Sequence, residues 1–293
     1  MNQLNSRSFG FKGCFPVDCV GEGNNKRGGM CMLWREPFDL SLISFSQHHI
    51  SVSVKCAGVA PNWICSGIYG WPEHTQKWRT WQLLKSIYPG VGIPWICMGD
   101  YNEIMWLHEK KGGNLKSWQD MEQFRTVVGE CELSDLGFSG HRFTWTNGRS
   151  GEDNIQERLD RVLANETWKN IFPSWRVSHL HRVKSDHTPL LVNFDNVDRC
   201  FSHNRRKKKF RFEKMWLEHQ DCEKIVKQAW SQQETSNFMR KLNHCGEVLQ
   251  AWDKNEFGQI RKKLTLLSDK LAIMQAKKQT RWVIRESKNI EEE

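Results

Sequence analysis

Residues 94–102 read PWICMGDYN, an apolar run that ends in an acidic and an amide side chain, Asp100 and Asn102. Apolar runs of four to six residues bounded by Gly and Pro are typical of buried β-strands. A carboxylate at the end of such a strand is costly unless a metal, a proton or a hydrogen-bond network compensates its charge. The stretch therefore predicts a central strand that ends either in a chemical site or in an ordinary Asp-containing turn.

Two further motifs lie downstream. The triplet SDH occupies residues 185–187, directly before an apolar run at 188–192, and the tetrad RLDR occupies residues 158–161, after a hairpin built on FTWTNG at 143–148. Two strand ends that each carry Asp, one beside an amide and one beside an imidazole, indicate a metal-dependent hydrolytic site.

In this order, and together with Tyr69-Gly70, the motifs resemble the exonuclease–endonuclease–phosphatase superfamily, which has the fold of DNase and of the apurinic endonucleases. The likeness is greatest to the endonuclease domain of plant LINE-type (non-LTR) retrotransposons, and it extends over residues 9–195. It continues through MEQF at 121–124 and DLGFSG at 135–140. The resemblance implies a two-sheet α/β sandwich, metal-dependent nicking of DNA, and Mg²⁺ or Mn²⁺ as the cofactor.

The resemblance also implies roles for individual residues. Asp100 and Asn102 would position the attacking water and bind the scissile phosphate, with Asp100 as the candidate general base. His187 would contact a phosphate oxygen or move a proton. Asp160 would orient the His187 ring by accepting a hydrogen bond from its second nitrogen, which fixes the tautomer.

Two more residues complete the predicted site. Tyr69 would donate its hydroxyl to the phosphate, and Asp186 would help to hold the divalent metal, directly or through water. Other interpretations stay open from the sequence: Tyr69 as a structural strand-end tyrosine, Asp160 as the ion-pair partner of a neighbouring arginine, and His187 as the cap of a turn.

The start of the chain differs from the family pattern. Family members begin with a strand that ends in Asn and a strand that ends in Glu, the main metal ligand, and in LINE relatives these lie in WNCRG-like and ETK-like motifs. Neither motif occurs in the sequence, and FGFKG at 9–13 resembles the family segment just after that Glu. We therefore expect an N-terminally truncated domain, a weakly bound metal and impaired nuclease activity. We also expect the missing strands to leave Leu33, Trp34 and Ile96 without apolar cover.

The rest of the first two hundred residues alternates strand and helix patterns. Helices are predicted over 74–88 and over 117–131, the second with Ser117 as its N-cap. The run from Ile50 to Val54 alternates apolar and Ser residues, which predicts a strand with one face in solvent. The predicted fold class is α+β: a DNase-like two-sheet α/β sandwich over residues 1–198, incomplete at its N-terminus.

The pattern changes near residue 200, and residues 199–293 are predicted to form a basic, all-α linker region. Residues 201–293 hold 21 Lys and Arg against 13 Asp and Glu, a net charge of +8 out of +9 for the whole chain. Ile260, Leu264, Leu267 and Leu271 have heptad spacing, for which a helical hairpin is the preferred interpretation over a coiled coil. In plant LINE polyproteins a similar stretch leads to a reverse transcriptase, which the sequence does not include.

The charge and composition predict partners and location. A basic tail binds the phosphate backbone of DNA without sequence preference, and the run 205–209 resembles a nuclear import signal. Ten cysteines without a CxxC pair favour a reducing, intracellular compartment over secretion, and argue against zinc. No apolar run reaches 18 residues, so no membrane partner is expected. The pattern predicts no oligomeric state.

Three functions remain open from the sequence. The first is the remnant of a LINE endonuclease with impaired or absent nuclease activity. The second is an active endonuclease that uses a different metal ligand, and the third is a non-catalytic nucleic-acid-binding protein. Whether the chain is an enzyme is therefore not decided by its sequence.

Overall fold

The computed structural model describes residues 10–19, 21, 28–56, 59–194, 212, 214–232 and 238–292. The chain divides into two compact units, one of Met1–His203 with Ala272–Glu293 and one of Asn204–Leu271. The predicted boundary between residues 198 and 199 lies outside the described residues and stays a prediction. Residues 272–293 group with the first unit, although the sequence pattern had assigned them to the helical tail.

The described residues form fourteen strands and seven α-helices. The strands are β1 Gly13–Val17, β2 Met30–Trp34, β3 Phe38–Ser46, β4 His49–Cys56, β5 Val59–Tyr69, β6 Trp95–Asp100, β7 Lys110–Lys111, β8 Leu133–Asp135, β9 Ser139–Gly140, β10 Trp145–Thr146, β11 Gln156–Glu157, β12 Asp160–Asn165, β13 Trp175–His179 and β14 Leu190–Phe194. The helices are α1 Lys77–Ile87, α2 Trp118–Glu130, α3 Glu166–Ile171, α4 Cys222–Ser231, α5 Phe238–Glu256, α6 Gly258–Ala276 and α7 Arg281–Glu292.

A six-stranded sheet with the order β3-β4-β5-β6-β12-β8 forms the centre of the first unit. Strand β6 pairs in parallel with β5 and antiparallel with β12. Its apolar run is continuous because both of its faces are covered. The expectation that Ile96 is uncovered is wrong, because its strand has a neighbour on each side and its side chain is 0% exposed.

The central sheet is covered on both faces. Helices α1 and α2 pack against one face through a core that includes Trp81, Leu84 and Phe124. Strands β13 and β14, from a three-stranded sheet with the order β14-β13-β9, pack on the other face, where Val177 contributes to the core. This arrangement is the predicted two-sheet α/β sandwich, and the prediction of fold class is confirmed. The predicted N-cap of α2 is also present, because Ser117 Oγ accepts from the backbone N–H of Asp120.

Strand β4 differs from its predicted environment. Its alternating pattern suggested one solvent-exposed face, but Ser51 is 2% exposed. The Ser51 hydroxyl is 2.8 Å from that of Ser66 on β5, and Ser66 Oγ accepts from Trp95 Nε1 at 3.0 Å. A buried hydroxyl is tolerated when it is hydrogen-bonded. The face predicted to be in solvent is therefore buried at Ser51 and half-buried at Ser53, and exposed only at Lys55 near the end of the strand, so the prediction was wrong over Ile50–Val54.

In the second unit, α4 packs against α5 around a small core of Trp216, Cys222, Leu249 and Phe257. Ile260 and Leu264, at the start of α6, are 51% and 59% exposed. The heptad spacing therefore does not form a buried seam over the first turns of α6. No described helix is long and apolar enough to cross a membrane.

Candidate active site

Three neighbouring strands place predicted site residues side by side. Tyr69 on β5 is in register with Asp100 on β6, and Asp100 is in register with Asp160 on β12. Residues directly opposite each other on adjacent strands project from the same face of a sheet. The three side chains therefore form a row at one end of the central sheet, although they come from positions far apart in sequence.

Two glycines allow the backbone to close around this row. A Cβ atom on Gly99, whose φ is +144°, would lie 2.0 Å from the carbonyl oxygen of Ile68. A Cβ atom on Gly70 would lie 2.4 Å from the carbonyl oxygen of Tyr101. Neither contact is possible for a real side chain, so both positions require glycine and the site depends on them.

Asn102 sits in a tight turn directly after the Asp100 strand. Its φ of +54° lies in the left-handed region, which Asn adopts more readily than most residues. Its backbone N–H donates to Asp100 Oδ1 at 2.8 Å, and its Nδ2 donates to Asp100 Oδ2 at 3.1 Å and to the Gly70 carbonyl at 2.9 Å. The turn therefore fixes the Asp100 carboxylate in one orientation.

His187 reaches the same row from the loop before β14. A bridge between His187 and Trp145 attaches this loop to the hairpin at 143–148, and the Thr188 N–H donates to the Thr144 carbonyl at 2.7 Å. The His187 Nδ1 atom lies 2.9 Å from Asp160 Oδ2, the contact that the sequence predicted. Its Nε2 atom lies 3.9 Å from Asp100 Oδ2.

Burial and the neighbouring charges alter the protonation of Asp100 and of His187. Burial, together with the nearby charge of Asp160, raises the pKa of Asp100 to about 6, although His187 and the Asn102 N–H act in the opposite direction. Burial alone would lower the pKa of His187. The hydrogen bond to Asp160 and the charges of Asp160, Asp100 and Asp186 outweigh burial, so the His187 pKa is raised. Strongly shifted groups that face each other are typical of functional sites.

Asp186 is exposed and lies beside the row. Its Oδ2 accepts from Trp145 Nε1 at 3.0 Å, and its carbonyl accepts from the Thr146 N–H at 3.1 Å. The side chain is thus held at the rim, next to His187. Tyr69, at the other end of the row, receives a hydrogen bond at its carbonyl from His48 Nδ1 at 2.7 Å.

The alternative ion pair for Asp160 does not form. Arg158 and Arg161 instead bind Glu109 and Asp135, with N–O distances of 2.9 Å from Arg158 to both acids. For Arg161, strand alternation explains the difference, because consecutive residues on β12 project to opposite faces, whereas Arg158 precedes β12 and binds the same acids from the segment before the strand. Asp160 therefore faces His187 while Arg161 faces the buried acids.

Two supporting residues were missed from the sequence. The buried Lys77 on α1 donates to the Asn102 carbonyl and pairs with Glu103 at 2.7 Å. No local pattern reveals this contact, because it joins distant segments. Thr144 lies within the FTWTNG hairpin that the sequence did single out, and its Oγ1 accepts from the N–H groups of Leu159 and Asp160 at 3.0 and 2.9 Å.

The side chains of the row offer few ligands to a metal. Within the described ranges, no three side chains of His, Cys, Asp or Glu are grouped so that they could hold an ion. The Asp186 carboxylate already accepts from Trp145, and the Asp160 carboxylate from His187. These residues do not fit a metal that is held by protein ligands alone.

Several solved structures resemble the chain. The endonuclease domain of TRAS1, a telomere-specific non-LTR retrotransposon, is 18% identical with a TM-score of 0.48, over 62% of this chain and 80% of that one. The human Nocturnin catalytic domain is 14% identical with a TM-score of 0.41, over 66% and 75%. Truncated Caenorhabditis elegans TDP2 is 12% identical with a TM-score of 0.40, over 65% and 78%.

The family assignment comes from the sequence of the whole domain. Comparison with curated protein sequences finds no match. The model of the Endonuclease/Exonuclease/phosphatase family matches residues 2–187, which is more than half of the 293 residues and includes all six predicted site residues. The chain therefore belongs to the Endonuclease/Exonuclease/phosphatase family.

Proposed function

We propose that the chain carries the nuclease site of a LINE-type retrotransposon endonuclease and hydrolyses phosphodiester bonds in DNA. Membership of the family supports a nuclease-like hydrolase. The observation that carries the proposal is the position of the His187 ring, 2.9 Å from Asp160 with its Nε2 atom 3.9 Å from Asp100. An imidazole and a carboxylate this close together can both contact one water molecule or one phosphate oxygen, and so act at a single reacting centre.

Each side chain of the site then has its own role. Asp100 accepts the proton of the attacking water, because it is ionised above pH 6 and burial makes it a stronger base than an exposed Asp. Asn102 orients Asp100, and its amide would bind the phosphate by exchanging one of its two present hydrogen bonds, to Asp100 or to the Gly70 carbonyl. His187, oriented by Asp160, contacts a phosphate oxygen or moves a proton, and the Tyr69 hydroxyl donates to the phosphate.

We propose that the activity is impaired, as expected for the remnant of a plant LINE element. Divalent-metal dependence is typical of the family, and Mg²⁺ or Mn²⁺ would be held weakly by Asp186 and by water. The support is that the described side chains offer no group of three ligands. Mg²⁺ keeps several waters, so one carboxylate and the substrate can hold it, but with little affinity.

A nicking assay tests this function. Purified protein is incubated with supercoiled plasmid in Mg²⁺ or Mn²⁺, with His187→Ala as the matched variant. We expect weak nicking by the parent, stimulated by millimolar metal, and none above background by the variant. Robust nicking at micromolar metal that His187→Ala abolishes would favour the active endonuclease instead. Equal nicking by both proteins would refute the site.

Non-catalytic DNA binding is the second candidate. The net charge of +8 over residues 201–293 favours it, because basic surfaces bind phosphate backbone without sequence preference. A nuclear location through the run at 205–209, which lies outside the described residues, is part of the same proposal. DNA binding without any metal-dependent nicking would select this candidate.

A further inference from the structure

The last helical segment contributes to a cavity beside the candidate active site. A cavity of about 540 Å³ adjoins Asp186 and extends to α7. One wall is the loop of Arg182 and Lys184, and the facing wall carries Gln275 from α6 and Lys288 from α7. All of these residues belong to the first compact unit, so the cavity is internal to that unit.

A buried amide connects the two walls. Gln275 is 5% exposed. Its side chain accepts a hydrogen bond from the Arg182 N–H at 3.0 Å and donates one to the Arg182 carbonyl at 2.7 Å. The Gly151 N–H donates to the Gln279 carbonyl at 3.1 Å, and Val283 at the start of α7 is 4% exposed. Buried polar contacts of this kind fix one arrangement, so residues 272–292 form a strap docked on the hairpin and the loop before β14.

The walls of the groove are basic. A second cavity of about 480 Å³ shares Gly148, Ile284 and Lys288 with the first and continues the groove away from Asp186. The two cavities together are lined by six basic side chains, Arg149, Arg182, Lys184, Arg281, Arg285 and Lys288, against three acidic ones, Asp153, Asp186 and Glu291. A concave, basic surface concentrates anions.

Of these six basic side chains, Arg182 gives the clearest indication of a phosphate-binding site. Its side chain is half-buried, and burial lowers its pKa although Glu291 and Asp186 act in the opposite direction. Within the described part of the chain, none of the six has a carboxylate oxygen within ion-pair distance. A half-buried guanidinium without a paired carboxylate is suited to bind a phosphate, which it contacts in bidentate geometry.

We propose that the strap of residues 272–292 and the loop at 182–186 form an accessory phosphate-binding groove, which holds the DNA backbone next to the scissile phosphate. The groove begins at Asp186, directly beside His187, so a strand bound in it passes the row of Asp100 and Asp160. The choice of DNA rests on the proposed function. The groove thereby gives the basic C-terminal segment a defined contact in place of general charge attraction.

The test measures binding of a fluorescein-labelled 30-base-pair DNA duplex to the full chain by anisotropy, in EDTA so that no cleavage occurs. The variant is Arg182→Gln with Lys288→Gln. We expect affinity to fall roughly ten- to hundredfold at 50 mM salt, and the slope of log affinity against log salt to shrink by about 2, one for each phosphate that the variant no longer neutralises. If the Arg182 change prevents folding, Arg149→Gln with Lys288→Gln, both on exposed side chains, serves in its place.

The matched control removes the same charge elsewhere in the first unit. Lys55 and Arg176 are exposed, and they lie at the ends of β4 and β13 that are remote from the site. Lys55→Gln with Arg176→Gln should leave affinity and slope within twofold of the parent. Equal losses in both double variants, or no loss in the groove variant, would overturn the groove.

A third variant tests whether the strap binds DNA or instead covers the candidate active site. Gln275→Met removes both hydrogen bonds to Arg182 and should loosen the strap, so DNA affinity should fall. Tighter binding or faster nicking in Gln275→Met would show that the strap covers the site and would overturn the proposal. A parent protein that binds DNA through the groove but never nicks plasmid would refute the proposed function and leave the groove intact.

Discussion

Two clusters of charged side chains lie on opposite faces of β12, and the pKa values of their buried carboxylates shift in opposite directions, up for Asp100 and down for Glu109 and Asp135. The first, the arginine cluster, consists of Glu109, Asp135, Arg158 and Arg161. Glu109 accepts from both arginines and from the N–H groups of Met105 and Trp106. Although burial alone would raise the pKa values of Glu109 and Asp135, their arginine partners lower both.

The second, the site cluster, consists of Asp100, Asp160 and His187. Here two carboxylates share one imidazole, and the partners of Asp100 do not offset its burial, so its pKa rises to about 6. The arginine cluster thus stabilises its charges within the fold, whereas the site cluster leaves charge to be compensated by a proton, a cation or a substrate. This difference, rather than the number of acidic residues, marks the candidate active site.

The largest effect is expected in the arginine cluster. Arg161 is 1% exposed, and Arg161→Ala removes the leading partner of Glu109 and one of the two arginine partners of Asp135. Breaking a buried ion pair by removing one side costs about 3–5 kcal/mol in free energy of unfolding. Urea unfolding measures it, with the exposed Arg176→Ala as the control. A loss below about 1 kcal/mol, within the range of surface changes, would contradict the proposed structural role.

The second-largest effect is expected at His187, where substitution should lower nicking activity far more than stability. His187→Ala should lower nicking by about 10²–10³-fold, the usual contribution of a residue that moves a proton or binds the reacting group. Its melting temperature should change by only a few degrees, because His187 is half-buried and its loop is also held through Thr146 and Thr188. Plasmid nicking and a thermal melt of the same sample measure both, with His244→Ala, a half-buried histidine of the second unit, as the control. Lost activity that merely accompanies unfolding would remove His187 from the site.

Much of the site could be predicted because it lies at the ends of strands. The apolar run before Asp100 fixes the end of β6, and Tyr69 and Asp160 lie on the two strands beside it at the same edge of the sheet. The apolar run after His187 fixes the start of β14, which belongs to the other sheet of the sandwich. That Asp160 pairs with His187 rather than with Arg161 follows from strand alternation, since Arg161 must face the other side. The roles assigned to these side chains remain proposals.

The remaining features depend on contacts between distant segments. Lys77 reaches Asn102 from a separate helix, and Gln275 reaches Arg182 across 93 residues. Neither pair has a local signal in the sequence. Ser51 misled the burial prediction for the same reason, because its polar side chain is satisfied by Ser66 on the next strand rather than by water. Polar residues that find buried partners cannot be distinguished from exposed ones by periodicity alone.

A smaller effect is expected at Thr144, which lies between the two clusters. Thr144 is 0% exposed, and its hydroxyl accepts from the N–H groups of Leu159 and Asp160. Thr144→Val leaves both N–H groups without that acceptor and should cost about 1–3 kcal/mol. Thr144→Ser keeps the oxygen and should lose only the methyl contribution of about 0.8 kcal/mol. Chemical denaturation compares the two, and equal losses would show that the hydroxyl is unimportant.

The smallest expected effect is on the pH dependence of stability, and it has opposite signs in the site cluster and in the arginine cluster. Because the folded pKa of Asp100 is about 6 against an ordinary value of 3.8, the folded chain keeps a proton that the unfolded chain releases. Stability contributed by this residue therefore falls as pH rises from about 4 to 6, by at most about 3 kcal/mol at 1.36 kcal/mol per pKa unit. Asp100→Asn removes this penalty, so it should raise stability by about 1–2 kcal/mol at pH 7.5 and have no benefit near pH 4.

Asp135→Asn should do the opposite. The pKa of Asp135 is lowered, so its carboxylate stabilises the fold above the ordinary pKa, and the loss on substitution should shrink as pH falls through the folded value. Thermal melts without divalent metal measure this, from pH 4 to 7.5 for Asp100→Asn and from about pH 2 to 5 for Asp135→Asn, whose window lies below its ordinary pKa of 3.8. Destabilisation by Asp100→Asn at pH 7.5 would show that Asp100 is compensated as fully as the arginine cluster, and the distinction between the two clusters would fail.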